Sequence, residues 1–267
     1  MENILYTLND SVFRYGLAKG SDSERFFEDN RKIMVVGGAA SQLNMRDNSD
    51  LLRPTTDIDL ISNDASKKSQ RRNWAEFLER EITKEGHFTK GGLTRYGAEV
   101  RFSNYEPDFI LHLNCFGDNF FKRHKKRMDG EYERSETVKI DNSEVKYHSP
   151  MDVIINKIRR IKSLEKAKAI KLNSYQRGIM HSICNAQFDD INTEGLHKDL
   201  ENLLKVRNQT VEDLGRYGYK QVISEVENYK LMKDLYDIHG LIDSCRTKNK
   251  KISKKEFREA LELALKP

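Results

Sequence analysis

The sequence is short of most features that would place it quickly. It has three cysteines in 267 residues, Cys115, Cys184 and Cys245, far apart and with no CxxC pair, so it carries neither a disulfide framework nor a zinc knuckle. No apolar run approaches the ~18 residues that a membrane span needs. The first ten residues, "MENILYTLND", place acids and polar groups where a secretory leader would have a basic start and an apolar centre. A cytoplasmic protein with no membrane contact is the expectation. Charge of one sign is also in small excess: 47 Lys and Arg against 42 Asp and Glu leave +5, too little to demand a nucleic-acid partner. Internal repeats and low-complexity linkers are missing, and neither GxGxxG nor GxxxxGK[ST] occurs, so dinucleotide and P-loop sites lack their fingerprints.

What the chain does have is charge. Asp, Glu, Lys and Arg make up 33% of the residues, against about 25% in an average globular protein. Aromatics at 9% exclude a mainly disordered chain, and a chain of this length buries a real core without staples. Hydrophobic periodicity divides it. Residues 3–17 and 21–31 read as amphipathic helices. "KIMVVGG" is a buried strand ended by glycines, "AASQLNM" a helix beginning at Ala39 or Ala40, and "TDIDLIS" an alternating strand. Residues 66–85, with Trp74, Phe77, Leu78 and Ile82, predict another helix. "HFTKGGLTRYGAEVRF" predicts a β-ribbon and "DFILHLNCF" a strand. From Ser149 the pattern becomes helical: a serine cap, a proline in the first turn, then Ile154, Ile158 and Ile161 along one side. The expectation is an α+β protein, with a mixed sheet flanked by helices over residues 1–147 and an all-helical unit over 148–267.

Chemistry concentrates in two places. In a strand, residues two apart face the same way with Cα atoms about 6.6 Å apart, so Asp57 and Asp59 project together. Two adjacent carboxylates repel unless a cation lies between them, and magnesium, which takes oxygen ligands and shares them with phosphates, is the simplest candidate. The plain alternative is a strand-end cap at Asp57 and an exposed acid at Asp59. Upstream, a strand ending in Gly37 and Gly38 exposes backbone N–H groups at a helix start, where the macrodipole favours phosphate and missing side chains permit its approach. A tight turn alone would look similar.

Together these residues resemble a family. Gly37, Gly38 and Ala40, followed by Arg53-x-Thr55-x-Asp57-x-Asp59-Leu60, are similar to the signature of the nucleotidyltransferase fold of the DNA polymerase beta superfamily, most of all its AbiEii-type bacterial toxin branch. The likeness centres on residues 33–62. It implies a nucleoside triphosphate held by the glycine turn, with Ser41, Arg53 and Thr55 beside it, and Mg2+ or Mn2+ held by Asp57 and Asp59. It also implies transfer of a nucleotidyl group to an acceptor hydroxyl. Such sites take a third carboxylate, so that two metals ~4 Å apart activate the acceptor oxygen and stabilise the leaving pyrophosphate. Asp108 is the first candidate, with Glu99 and Asp118 in reserve. The family's helical lysine corresponds to Lys157, for which an exposed helical lysine is the alternative. Its later acidic-isoleucine pair corresponds to Asp190-Ile191, with Asp189 able to replace Asp190. Arg53 has a structural alternative too, holding the turn before the second strand through its own hydrogen bonds.

The implied acceptor is RNA such as a tRNA end, and the implied context a toxin with a cognate antitoxin protein. Rival readings are an inactive nucleotide- or nucleic-acid-binding module of the same fold, and a transferase acting on protein or a small molecule. Two basic stretches, Phe120–Arg127 and residues 157–171, read either as RNA-backbone contacts or as solvated faces. His112, His124 and His181 show no ligand spacing and read as structural or surface residues. "DSCRTKNKKISK" lacks the acids and glycine of a calcium loop.

Overall fold

The computed structural model describes residues 33–53, 55, 57–62, 89–94, 97–102, 109–115, 118–140 and 143–266. The helices expected over 3–17, 21–31 and 66–85 lie outside the described residues, as does Asp108. The chain divides into two compact units, one of residues 1–46 and 54–149, the other of residues 47–53 and 150–267.

Among its described residues the first unit is built on a mixed sheet of seven strands, β1 (Ile33–Val36), β2 (Asp57–Ser62), β3 (Thr89–Thr94), β4 (Gly97–Phe102), β5 (Phe109–Cys115), β6 (Glu136–Ile140) and β7 (Ser143–Tyr147). Their spatial order is β3-β4-β5-β2-β1-β7-β6. β2 is central, antiparallel to β1 and parallel to β5, while β7 runs parallel to β1. Its residues explain the position. Ile58 and Leu60 are buried on one face, and Ile61 on the other packs with Met34 of β1 and Met128. Asp57 and Asp59 share the Ile61 face and are half-buried, so a strand apolar on one face and at one end of the other presents its carboxylates at the remaining end.

Helix α1 (Gly37–Met45) opens directly on β1, two or three residues earlier than expected. Glycine's low helix propensity acts in helix interiors and costs little in the first turn. Every residue from Ala39 to Met45 is buried, and its polar groups find partners inside: Asn44 Nδ2 donates to the carbonyls of Ala40 (2.8 Å) and His148 (2.9 Å). The His148 amide in turn donates to the Val35 carbonyl at 2.9 Å, extending the β1–β7 pairing.

Between β5 and the second unit lie helix α2 (Asp118–Glu133) and the β6–β7 hairpin. The first basic stretch lies on α2: Lys122, Arg123, Lys125 and Lys126 are exposed, while Arg127 and Met128 turn inward. β6 is an edge strand of the described sheet, and its Glu136 and Lys139 suit an edge that must resist pairing with other chains.

The second unit is helical: α3 (Pro150–Lys166), α4 (Ser174–Cys184), α5 (Leu196–Tyr217), α6 (Ile223–Thr247) and α7 (Lys254–Leu265). Ile154, Ile158 and Ile161 are fully buried along α3, as their spacing requires. A short segment from the first half of the sequence belongs here. Leu51, in a 3-10 turn (Ser49–Leu51), joins a core cluster with Leu196, Leu200, Leu203 and Tyr236. The Tyr236 hydroxyl donates to the Leu51 carbonyl at 2.6 Å.

Candidate active site

β1 runs out at Val36, which stands opposite Asp59 in the β1–β2 register. The next residue, Gly37, has φ +66°, a left-handed conformation that side chains other than glycine's adopt at a cost. A Cβ on Gly37 would lie 2.7 Å from Asp59 Oδ2. The space that any other residue would fill is therefore taken by the Asp59 carboxylate, which sits against the first residue of α1. Val36, the N-cap, is extended and makes no side-chain capping bond. The amides of the first turn point along the helix axis with the positive end of the macrodipole. A helix start and a carboxylate thus adjoin at one end of the sheet, each answering a different charge: phosphate for the amides, a cation for Asp59.

Asp57 lies two residues before Asp59 on the same face. Its Oδ1 accepts a hydrogen bond from the Thr55 hydroxyl at 3.0 Å, and the same hydroxyl is 3.3 Å from the Asp57 carbonyl. Thr55 thereby orients Asp57. Ser41 is fully buried and donates to the Gly37 carbonyl at 3.1 Å, so it braces the glycine turn from the second turn of the helix. On the other side of β2, His112 of β5 stands opposite Asp59, and Glu99 of β4 opposite His112. With strands about 4.8 Å apart, the backbone of Glu99 is roughly 10 Å from that of Asp59. The absence of ligand spacing predicts a structural or surface role for His112. The alternation Asp108, Ile110, His112 already put it on one face with Asp108, and the parallel β2–β5 register then sets it beside Asp59.

Among the described residues no three His, Cys, Asp or Glu side chains converge as a metal site, and Asp108, the candidate third ligand, is outside them. The two described carboxylates fit a hard divalent cation. They are oxygen donors, half-accessible, on one face of a rigid central strand, with one oriented by a hydroxyl and the other set against a glycine. This set suits Mg2+ or Mn2+ and lacks the sulfur or paired imidazole ligands of zinc or copper sites.

The other candidates lie in the second unit. Arg53 is buried and grips Asp237 of α6 with two bonds, Nε to Oδ1 and Nη2 to Oδ2, both 2.7 Å. Lys157 is not a solvated lysine: it is buried, with Nζ 2.6 Å from Asp237 Oδ2 and 3.1 Å from Asp234 Oδ1. Arg160 completes the group, its Nε 2.5 Å from Asp234 Oδ2 and its Nη2 bonded to Oδ1. Burial alone would raise the Asp237 carboxyl, but the charges of Arg53 and Lys157 and their hydrogen bonds outweigh it and hold Asp237 well below the usual carboxylate range. Asp234 and Asp237 were missed in the sequence. Their signal was "KDLYDIHGLI", two acids three apart set among Leu231, Leu235, Ile238 and Leu241, since a fully buried acid requires a cation.

Asp190 lies in a 3-10 turn (Phe188–Asp190) and is exposed, between the buried Phe188 and Ile191. Asp189, also exposed, is 3.3 Å from Lys254 Nζ. Phe188 packs edge-on against Phe257 of α7 at 4.9 Å, while the two acids face solvent. Among the other histidines, His181 is exposed and bonds Asn185.

The fold and site together describe an α+β protein with a glycine turn and a carboxylate pair at the end of a mixed sheet. No family model matches the chain, and no curated protein matches it. Among solved structures it is similar to an antigenic nucleotidyltransferase-like protein from Paracoccidioides brasiliensis, with 17% identity and a TM-score of 0.37 over 51% of this chain and 61% of that one. The chain thus spans about three-fifths of the length of that protein.

Proposed function

We propose that the protein is a metal-dependent nucleotidyltransferase that moves an NMP group from a nucleoside triphosphate to an acceptor hydroxyl. The observation that carries this reading is the meeting of Gly37 and Asp59, where a left-handed glycine leaves its side-chain space to a carboxylate at the start of a helix. A turn without function has no need of an acid there, and an ordinary ion pair has no need of the glycine.

The amides of the first turn of α1 receive the triphosphate. Gly37 and Gly38 let it approach the backbone, and Ser41 keeps the turn in shape. Asp57 and Asp59, with Asp108, would hold Mg2+ or Mn2+, which would supply neutralisation of the charge that develops on the phosphates. Thr55 keeps the Asp57 carboxylate in one orientation. The acceptor oxygen forms a bond to the α-phosphorus, the bridging bond to the β-phosphate breaks, pyrophosphate leaves, and the hydroxyl proton passes to Asp108. The acceptor is RNA, such as a tRNA end, and the activity is that of a toxin restrained by an antitoxin protein in the cytoplasm.

Incubating the protein with each α-labelled NTP, Mg2+ and either bulk tRNA or a cell lysate tests this. Label on RNA that is lost in Asp57→Ala and Asp59→Ala is the expected result. Label on protein would move the acceptor to a protein hydroxyl, and NTP binding without label on any acceptor would mark an inactive binding module. Growth arrest on expression, relieved by Asp59→Ala, checks the toxin role.

A further inference from the structure

The second basic stretch has a shape that the sequence could not show. With Lys157 turned into the core, the remaining cations of α3 fall on a stripe: Arg159, Lys162 and Lys166 follow one another at i, i+3 and i+7, a single helix face. Together with Arg160 they line a shallow groove walled by Ala264 and Leu265 of α7. Among the described residues, no acidic and no aromatic side chain lines it. From Arg159 to Lys166 the groove runs about 10 Å along the helix axis.

Arg160 distinguishes this groove from an ordinary solvated face. Its guanidinium is anchored on the fully buried Asp234, yet 43% of its side chain remains exposed. One edge of the fork is fixed from below and the rest faces the groove. Arg159 is likewise tethered, Nη1 donating to Asn156 Oδ1 at 2.9 Å. Behind them, three cations, Arg53, Lys157 and Arg160, share two carboxylates, Asp234 and Asp237, so the cluster beneath the groove carries a net positive charge. Preordered arginines lose less freedom on binding oxyanions than mobile lysines do.

We propose that this groove holds the phosphodiester backbone of RNA, which in the reading above is the acceptor. A line of cations along one helix face fits successive phosphates. With no ring among its described lining residues to stack on a base, the contact is independent of sequence and unsuited to a free nucleotide. Arg159 and Arg160 position the strand, and Lys162 and Lys166 supply further neutralising charge.

The test measures binding without transfer, in the full chain carrying Asp59→Ala, by fluorescence anisotropy of a labelled mixed-sequence single-stranded RNA across a KCl series. For single strands each neutralised phosphate contributes about 0.7 to the slope of log K against log salt. The double variant K162Q/K166Q is therefore expected to lower the slope by about 1.4 and weaken binding roughly 15-fold at 0.15 M salt, equally for unrelated RNA sequences. K162R/K166R should retain wild-type binding, and K122Q/K126Q, on the exposed face of α2, should change it little. An unchanged slope in K162Q/K166Q, an equal loss in K122Q/K126Q, no binding of RNA by the parent chain, or tighter binding of a poly-glutamate peptide than of RNA would each overturn the proposal. Binding that follows these expectations in a chain whose wild type labels no acceptor would leave the groove standing while the transfer reading fell. Labelling of RNA that K162Q/K166Q does not alter would do the reverse.

Discussion

Gly37→Ala should damage the site and the fold by separable amounts. At φ +66° an alanine costs about 1–2 kcal/mol in backbone energy. Its Cβ would then press on Asp59 Oδ2 at 2.7 Å, and the carboxylate, the end of a short side chain, must retreat by roughly 0.7 Å or more to reach ordinary contact. Relaxation of the carboxylate makes the steric share of the stability cost modest, so the total should be about 2 kcal/mol. That corresponds to a fall in melting temperature of about 4–8 °C for a domain of 150–250 residues. The displacement matters more for chemistry, because misplacing a reacting group by about 1 Å costs on the order of 10²-fold in rate. Gly38, the next residue, lies outside the left-handed region, and Gly38→Ala should be neutral or stabilise by up to about 1 kcal/mol through the unfolded state. Thermal melts of the two variants, measured side by side with the transfer rate of Gly37→Ala, check this. Equal melting of Gly37→Ala and wild type, or an equal loss of melting temperature in the two variants, would refute the idea that Asp59 occupies the side-chain space of Gly37.

Other substitutions probe the remaining contacts. Asp237→Asn leaves Arg53 and Lys157 buried without their shared carboxylate and should destabilise the helical unit by about 3–5 kcal/mol, read from urea unfolding. In the wild type the Asp237 carboxyl lies below its unfolded value, so its contribution is complete above about pH 4 and lost as the pH falls further; Asp237→Asn should flatten the acid limb of a stability profile. Burial pushes His239 down, against an opposing pull from Asp199. The unfolded state therefore takes up the proton first, and stability should decline as the pH drops through about 6.5. His239→Gln should remove that slope between pH 5 and 7. Thr55→Val deletes the bond to Asp57 Oδ1 and should slow transfer by about 3- to 10-fold, equivalent to roughly 1 kcal/mol, with little change in melting.

Local pattern carried the sequence reading furthest where one residue's environment follows from its neighbours. The alternation of "DIDLIS" placed Asp57 and Asp59 on one face of β2 and Ile58 and Leu60 on the other, because successive strand residues must point oppositely. The isoleucine spacing of α3 set its buried stripe for the same kind of reason. Where charged residues interrupted the period, as in α2 and β6–β7, the pattern dissolved, since edge strands and surface helices need only part of an apolar face.

By itself the sequence determined the strand-turn-helix around Gly37 and the pairing of two carboxylates downstream, since both depend on residues a few positions apart. Tertiary structure alone decided that Asp59 fills the side-chain space of Gly37, because strand register joins residues 22 positions apart and no local pattern encodes it. It alone also decided the partners of Arg53 and Lys157. A buried cation must find a carboxylate, but which one depends on helix packing, and the answer lay 184 residues from Arg53 and 80 from Lys157, on the same aspartate.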